Sequence, residues 1–93
     1  MVDNKEAINL RIAGASNPSS VAGSAVKNLA EGKEVSLTAI GAGAVNQMLK
    51  AVTIARSMVA SNGNDMYFTS GFSSEEINGE VKTALKIFLY LRR

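Results

Sequence analysis

Two residue types on which most small-protein chemistry depends are missing from this 93-residue chain, which has neither Cys nor His. Without Cys there is no thiolate nucleophile and no disulfide framework. Without His, a hydrolytic triad, a proton shuttle near neutral pH and most zinc sites lose their imidazole. Acid–base work would fall to carboxylates, Lys, Tyr, Ser and Thr. The best carboxylate candidates are Asp65, Glu75, Glu76 and Glu80. They sit near predicted strand ends and in a predicted hairpin, where such groups are ordinarily solvated. No two have a spacing that forces them onto one point. The chain therefore reads as a non-enzyme, with no catalytic residue, no cofactor and no metal expected.

The Gly-rich stretch Thr38-Ala-Ile-Gly-Ala-Gly-Ala-Val-Asn-Gln47 offers different chemistry. A short apolar strand enters a turn at Gly41-Ala-Gly43, and the turn opens into a helix of about five turns. Such a turn leaves helix N–H groups uncluttered for an anion, or simply allows tight helix–strand packing. It is no dinucleotide fingerprint. Asn46 stands where the third Gly belongs, and no acidic residue closes a following parallel strand. No Walker loop is present. On the polar arc of this helix lie Asn46, Gln47, Lys50, Thr53 and Ser57, with Ile54 isolated among them as an interface signal.

The third candidate lies at the C-terminal end. Thr83, Leu85, Ile87, Leu89 and Leu91 alternate with Lys82, Ala84, Lys86, Phe88, Tyr90 and Arg92. In a strand these are two faces, one apolar and one mixing cations with rings. If the second face is uncovered, it could stack and neutralise a single-stranded nucleic acid, with Arg11 joining from the first strand. The alternative is that Phe88 and Tyr90 form a subunit interface or lie under a chain terminus.

The elements that would hold these residues follow from periodicity. Residues 1–6 form a lead, expected to be flexible, and 7–93 a single domain. Ile8, Leu10 and Ile12 alternate with Asn9 and Arg11, predicting a strand with one buried face. Asn17-Pro18 is a helix start, and Gly32 a helix stop, so a helix is predicted over 18–31 with Val21, Ala22, Ala25, Val26 and Leu29 as its apolar stripe. A strand over 35–40 and a helix over 43–61 follow. The core face of that helix is predicted as Ala44, Val45, Met48, Leu49, Val52, Ala55 and Val59. Strands are predicted over 66–74 and 83–92, linked through a turn at Asn78-Gly79. The order β-α-β-α-β-β predicts an α+β two-layer sandwich, with a four-stranded mixed sheet carrying both helices on one face and leaving the other bare.

Bulk composition agrees with an ordinary globular domain, at 46% hydrophobic and 19% charged residues. The formal charge of +2 permits an acidic partner without indicating one. No apolar run approaches the roughly 20 residues of a membrane span, and the start does not read as a signal peptide. No membrane partner and a cytoplasmic location are expected.

Ser16-Asn-Pro-Ser-Ser-Val-Ala-Gly23, Ala39-Ile-Gly-Ala-Gly-Ala-Val-Asn-Gln47, Lys50-Ala-Val-Thr-Ile-Ala-Arg56 and Gly79-Glu-Val-Lys-Thr-Ala-Leu-Lys86 together resemble the stage V sporulation protein S (SpoVS) family. The resemblance covers about 7–89, and its middle motif is the most specific. That family is similar in fold to the archaeal chromatin protein Alba and to the C-terminal domain of translation initiation factor three. The resemblance implies an Alba-like fold, self-association as a homodimer or higher homo-oligomer, and a nucleic-acid-binding or regulatory role connected with sporulation or cell division. It implies no catalysis. Two departures stand out. Ala15 occupies the loop position where relatives commonly carry a phosphate-contacting Lys, and Ser70-Gly-Phe72 replaces the usual Pro-Ala-Phe.

Two readings follow from these residues. As a nucleic-acid binder, DNA or RNA, the chain would use Arg11, Asn17, Ser19, Ser20, Gly41, Gly43, Asn46, Lys50, Arg56, Lys82 and Lys86. As an interaction module assembling through the open sheet and the second helix, it would use Ile54, Phe88 and Tyr90.

Overall fold

The computed structural model describes residues 5–92. Its elements are β1 (Ala7–Ile12), α1 (Pro18–Ala30), β2 (Glu34–Ala39), α2 (Ala42–Ala60), β3 (Asp65–Ile77) and β4 (Glu80–Arg92). The β-α-β-α-β-β order is as expected from the sequence. The predicted lead falls mostly on residues 1–4, which lie outside the described residues. Glu6, placed in that lead, has its carbonyl oxygen accepting from the Glu34 N–H at 2.8 Å, which continues the β1–β2 ladder by one residue.

Local chemistry fixes the boundaries. Asn17 takes an extended conformation and its Oδ1 accepts from the Ser19 and Ser20 N–H groups, with Pro18 opening α1. At the other end Gly32 has φ +82, and the Lys33 N–H reaches back to the Asn28 carbonyl, closing the helix. The β3–β4 turn has positive φ at both Asn78 (53°) and Gly79 (80°), the pairing that suits a two-residue hairpin.

The strand order is β1-β2-β4-β3. β1 and β2 run parallel, while β4 is antiparallel to both β2 and β3. Registers such as Leu10↔Leu37 and Leu37↔Ile87 put one set of apolar residues on one face of the sheet. Both helices cover that face. Leu37, Met48 and Ile87 are the largest side chains fully buried between the layers, joined by Ala22, Ala25, Val35, Ala55, Val59 and Leu89.

The structure departs from the sequence expectations in four places. β3 and β4 are longer than predicted, at 13 residues each. The added residues form a two-stranded arm that projects past the ends of β1 and β2. Thr83, expected under the helices, lies on this arm and is exposed. Leu49, expected in the core, is 43% exposed, and Ala51 is buried instead. The buried stripe of α2 runs through Ala44, Met48, Ala51, Val52, Ala55 and Val59, and Leu49 stands about 100° round the helix from Met48. Ile54 is not isolated on a polar arc, because it is half-buried and packs against the core. Finally, Ala84, assigned to the bare face, is fully buried. It sits opposite Ser73 at the root of the arm, where Arg11 reaches across to Glu75.

Candidate nucleic-acid interface

The candidate residues separate into two regions. The first is the face opposite the helices. Cross-strand rows place Asn9 beside Ser36, Phe88 and Thr69, and Arg11 beside Thr38, Lys86 and Gly71. No layer covers this face over most of its width. Phe88 and Tyr90 are 40% and 41% exposed, as the bare-face expectation requires, and Tyr67 on β3 is 51% exposed. Tyr67 and Tyr90 stack with ring centroids 5.1 Å apart. The Lys86 ammonium lies 5.3 Å from the Phe88 ring centre, a cation–π contact.

Toward the Ala7 end of the sheet, β1 and β2 contribute short side chains to this face, Ala7, Asn9 and Ser36, and Arg11 stands farther along toward the arm. The Asn9 amide donates to Ser36 Oγ at 2.8 Å and to Thr38 Oγ1 at 2.9 Å. That pairing accounts for two hydroxyls that are buried on a face without a covering layer. Short side chains on one half of the sheet and rings on the other leave a groove between them. It is lined by Ala7, Asn9 and Ser36 on one side and by Tyr67, Phe88 and Tyr90 on the other. Tyr67 was not a candidate from the sequence. Its partnership with Tyr90 depends on the β3–β4 register, which the Asn78-Gly79 turn sets.

The second region joins the starts of the two helices. The Gln47 side-chain amide donates to the Ser16 carbonyl at 2.9 Å, tying α2 to the segment before α1. Gly43 comes close to Gly14, and a Cβ at Gly43 would stand 3.9 Å from the Gly14 Cα. Gly41 is the residue before α2 and has φ +89, so it is the position that demands glycine. A shallow recess here is lined by Pro18, Ser19, Asn46, Leu49, Lys50 and Ile54. The structure thus brings Ser19, Asn46, Lys50 and Ile54 together. Asn17 is engaged in capping, and the N–H groups of Ser19 and Ser20 are taken by that cap.

Electrostatics divides the basic candidates further. Arg56 donates to Asp65 at 2.8 Å, and Arg11 donates to Glu75. Hydrogen bonding to Arg56, then to the Met66 N–H, holds the Asp65 carboxyl below its ordinary range, and Asp65 raises Arg56 in return. Lys33 likewise donates to Glu31 at 3.0 Å, lowering Glu31 and being raised by it. Among the described residues, Lys50, Lys82 and Lys86 have no carboxylate within ion-pair distance.

Among the described residues, no group of three or more carboxylates gathers as a metal-ligand set, and no helix is long and apolar enough to cross a membrane. A family model described as Stage V sporulation protein S (SpoVS) matches residues 8–92, from the second residue of β1 to the end of β4.

Proposed function

The chain belongs to the stage V sporulation protein S family, and from that premise we propose that it is a non-enzymatic regulatory protein that binds nucleic acid. The family's name connects it with sporulation. The observation that carries the binding step is the split among the basic side chains. Both candidate arginines are held by carboxylates, whereas Lys50, Lys82 and Lys86 are not. An ammonium without a protein counter-charge is free to neutralise a phosphate and release the counterions condensed on the nucleic acid. Lys50 stands at the helix recess, and Lys86 on the open sheet face.

Gel shifts with duplex DNA, single-stranded DNA and structured RNA at two salt concentrations test this reading. Binding should weaken steeply as salt rises. Lys50→Ala and Lys86→Ala should each weaken binding, and the larger loss identifies the contacting surface. Tight binding without a salt slope, or none at low salt, would remove the proposal.

A second reading, a self-associating interaction module, has its own support. Leu49, at 43% exposure, and Ile54 form an apolar strip beside the α2 recess, and Phe72 on the arm is 82% exposed. Sedimentation of Leu49→Ser and Phe72→Ser against the parent separates the two. A parent that is monomeric at high concentration removes the self-association reading.

A further inference from the structure

We infer that the groove on the open sheet face is a stacking site for single-stranded nucleic acid, one that takes bases against Phe88 and Tyr90 and is indifferent to the sugar. This rests on the nucleic-acid reading and names its ligand. The cavity that contains the groove has a volume of about 600 Å³, within the range of small-ligand clefts, and continues round the end of the sheet to Leu29 and Gly32 on the helix side.

Three features make it specific to an unpaired strand. First, its wall is aromatic. Phe88 and Tyr90 point the same way from β4, two residues apart, and Tyr67 backs Tyr90 in a stacked pair. Ring faces bind bases only when those bases are out of a duplex. Second, its floor is polar but already organised. Both hydrogens of the Asn9 amide are committed to Ser36 and Thr38, so what Asn9 can offer a ligand is its side-chain carbonyl, an acceptor for a base N–H. Third, its margin is basic. Lys86 and Lys5 border the groove without a carboxylate partner among the described residues. Lys33 also borders it but is occupied by Glu31 and Glu6, and Glu34 is the acidic residue in the lining.

That charge balance favours a polyanion over a second copy of this chain. A copy seated face to face would have to desolvate Lys5 and Lys86 with only Glu34 of the opposing groove to answer both. A single strand carries a phosphate at every nucleotide and meets both ammonium groups while its bases cover the rings.

The chain has two Tyr and no Trp, and both Tyr line this groove. Intrinsic tyrosine fluorescence therefore reports on the site alone. The experiment titrates the full chain with labelled oligouridine and oligothymidine of about 12 nucleotides, and with a duplex of equal length, at about 50 and 200 mM salt. Anisotropy of the label and quenching of tyrosine are both followed. Phe88→Leu retains an apolar side chain and removes the ring. Tyr90→Leu does the same one row along.

Both single strands should bind alike, quench tyrosine, and bind more tightly than the duplex. Phe88→Leu should weaken them by about 5- to 150-fold. Lys86→Ala should lower the slope of log affinity against log salt by about 0.7. If the duplex binds as tightly as the single strands, with Phe88→Leu without effect, this inference fails while nucleic-acid binding stands. If nothing binds, both fail. If Phe88→Leu and Tyr90→Leu dissolve an oligomer and leave oligouridine affinity unchanged, the face belongs to a second copy and the inference is overturned.

Discussion

Asn17 separates folding from binding more sharply than any other candidate. It precedes α1, and its Oδ1 accepts from the N–H groups of Ser19 at 2.9 Å and Ser20 at 3.1 Å. In Asn17→Ala both donors lose their acceptor. Ser19 and Ser20 are exposed, so water replaces part of what is lost. The cost should then sit near the middle of the capping range, about 1 kcal/mol. For a domain of this size that lowers Tm by about 4–8 °C. Thermal unfolding followed by circular dichroism, with urea titration as a second measure, reads it directly.

Asn17→Asp sharpens the test. An Asp carboxylate caps as well as the amide does, and the first turn of α1 contains no acidic residue. Adding one beside the helix N-terminus should hold Tm or raise it, by up to about 1 kcal/mol in stability. A phosphate contact would respond in the opposite sense, because the new negative charge repels it. Capping therefore predicts that Ala destabilises, Asp does not, and neither changes oligonucleotide affinity when both are folded. Suppose instead that Asn17→Ala leaves Tm within about 1 °C of the parent while affinity drops tenfold. Asn17 would then be a ligand contact, and the capping assignment would be wrong.

Other expectations can be checked alongside. Gly41→Ala should destabilise by more than about 1 kcal/mol, because φ is +89 there, whereas Gly23→Ala, in the middle of α1 with open space at its Cβ, should stabilise by about 0.4–1 kcal/mol in urea titrations. Leu37→Ala, at the centre of the core, should cost about 2–5 kcal/mol by the same measurement. The Asp65 and Glu31 carboxyls are held below their ordinary values, so their contribution is present above the ordinary carboxylate range and is lost as pH falls through the lowered folded values. Asp65→Asn should flatten part of that acid limb in urea midpoints measured against pH. Lys33 and Arg56 are raised, so their contribution is complete below the ordinary values and disappears only at strongly alkaline pH.

Where sequence reading succeeded, one local signal and one burial pattern agreed. The Asn17-Pro18 start, the Gly32 stop and the Asn78-Gly79 turn each carry their own backbone requirement, so their neighbours had little freedom. The alternation through Ile87, Phe88, Leu89 and Tyr90 fixed the two faces of β4 before any pairing was known. The arm was harder to see. The predicted strand ends at Ser74, and Glu75 and Glu76 beyond it have weak strand preference taken singly. They are extended because each is paired with β4 across the hairpin. Met48 and Leu49 are adjacent apolar residues that both fit a helical stripe of this width, and packing against the sheet selects only Met48. The groove itself was only half legible. Phe88 and Tyr90 announced it, but Tyr67 and the Asn9 bridge come from strands far apart in sequence, and only the order β1-β2-β4-β3 places them across from the rings.

Among the candidate basic residues, arginine and lysine have separate work. A guanidinium is a planar fork that fits a carboxylate, and Arg11 and Arg56 are used that way. Arg56 anchors α2 to the start of β3, and Arg11 anchors β1 to the arm. Those contacts join elements that sheet hydrogen bonds do not connect, since β1 and β3 are the two edges of the sheet. Lysines left on Lys50, Lys82 and Lys86 are point charges on flexible stems, able to follow a phosphate without imposing a geometry on it. Base-edge recognition in duplex DNA relies most often on Arg forks, and the two candidate forks here are committed within the chain. Binding built from such lysines and from ring stacking should tolerate many sequences, weaken quickly with salt, and change little when bases are permuted. Scrambled single strands of one composition competing equally would follow from this division. A preferred sequence lost on Arg11→Lys would show instead that the Arg11–Glu75 pair opens to read bases.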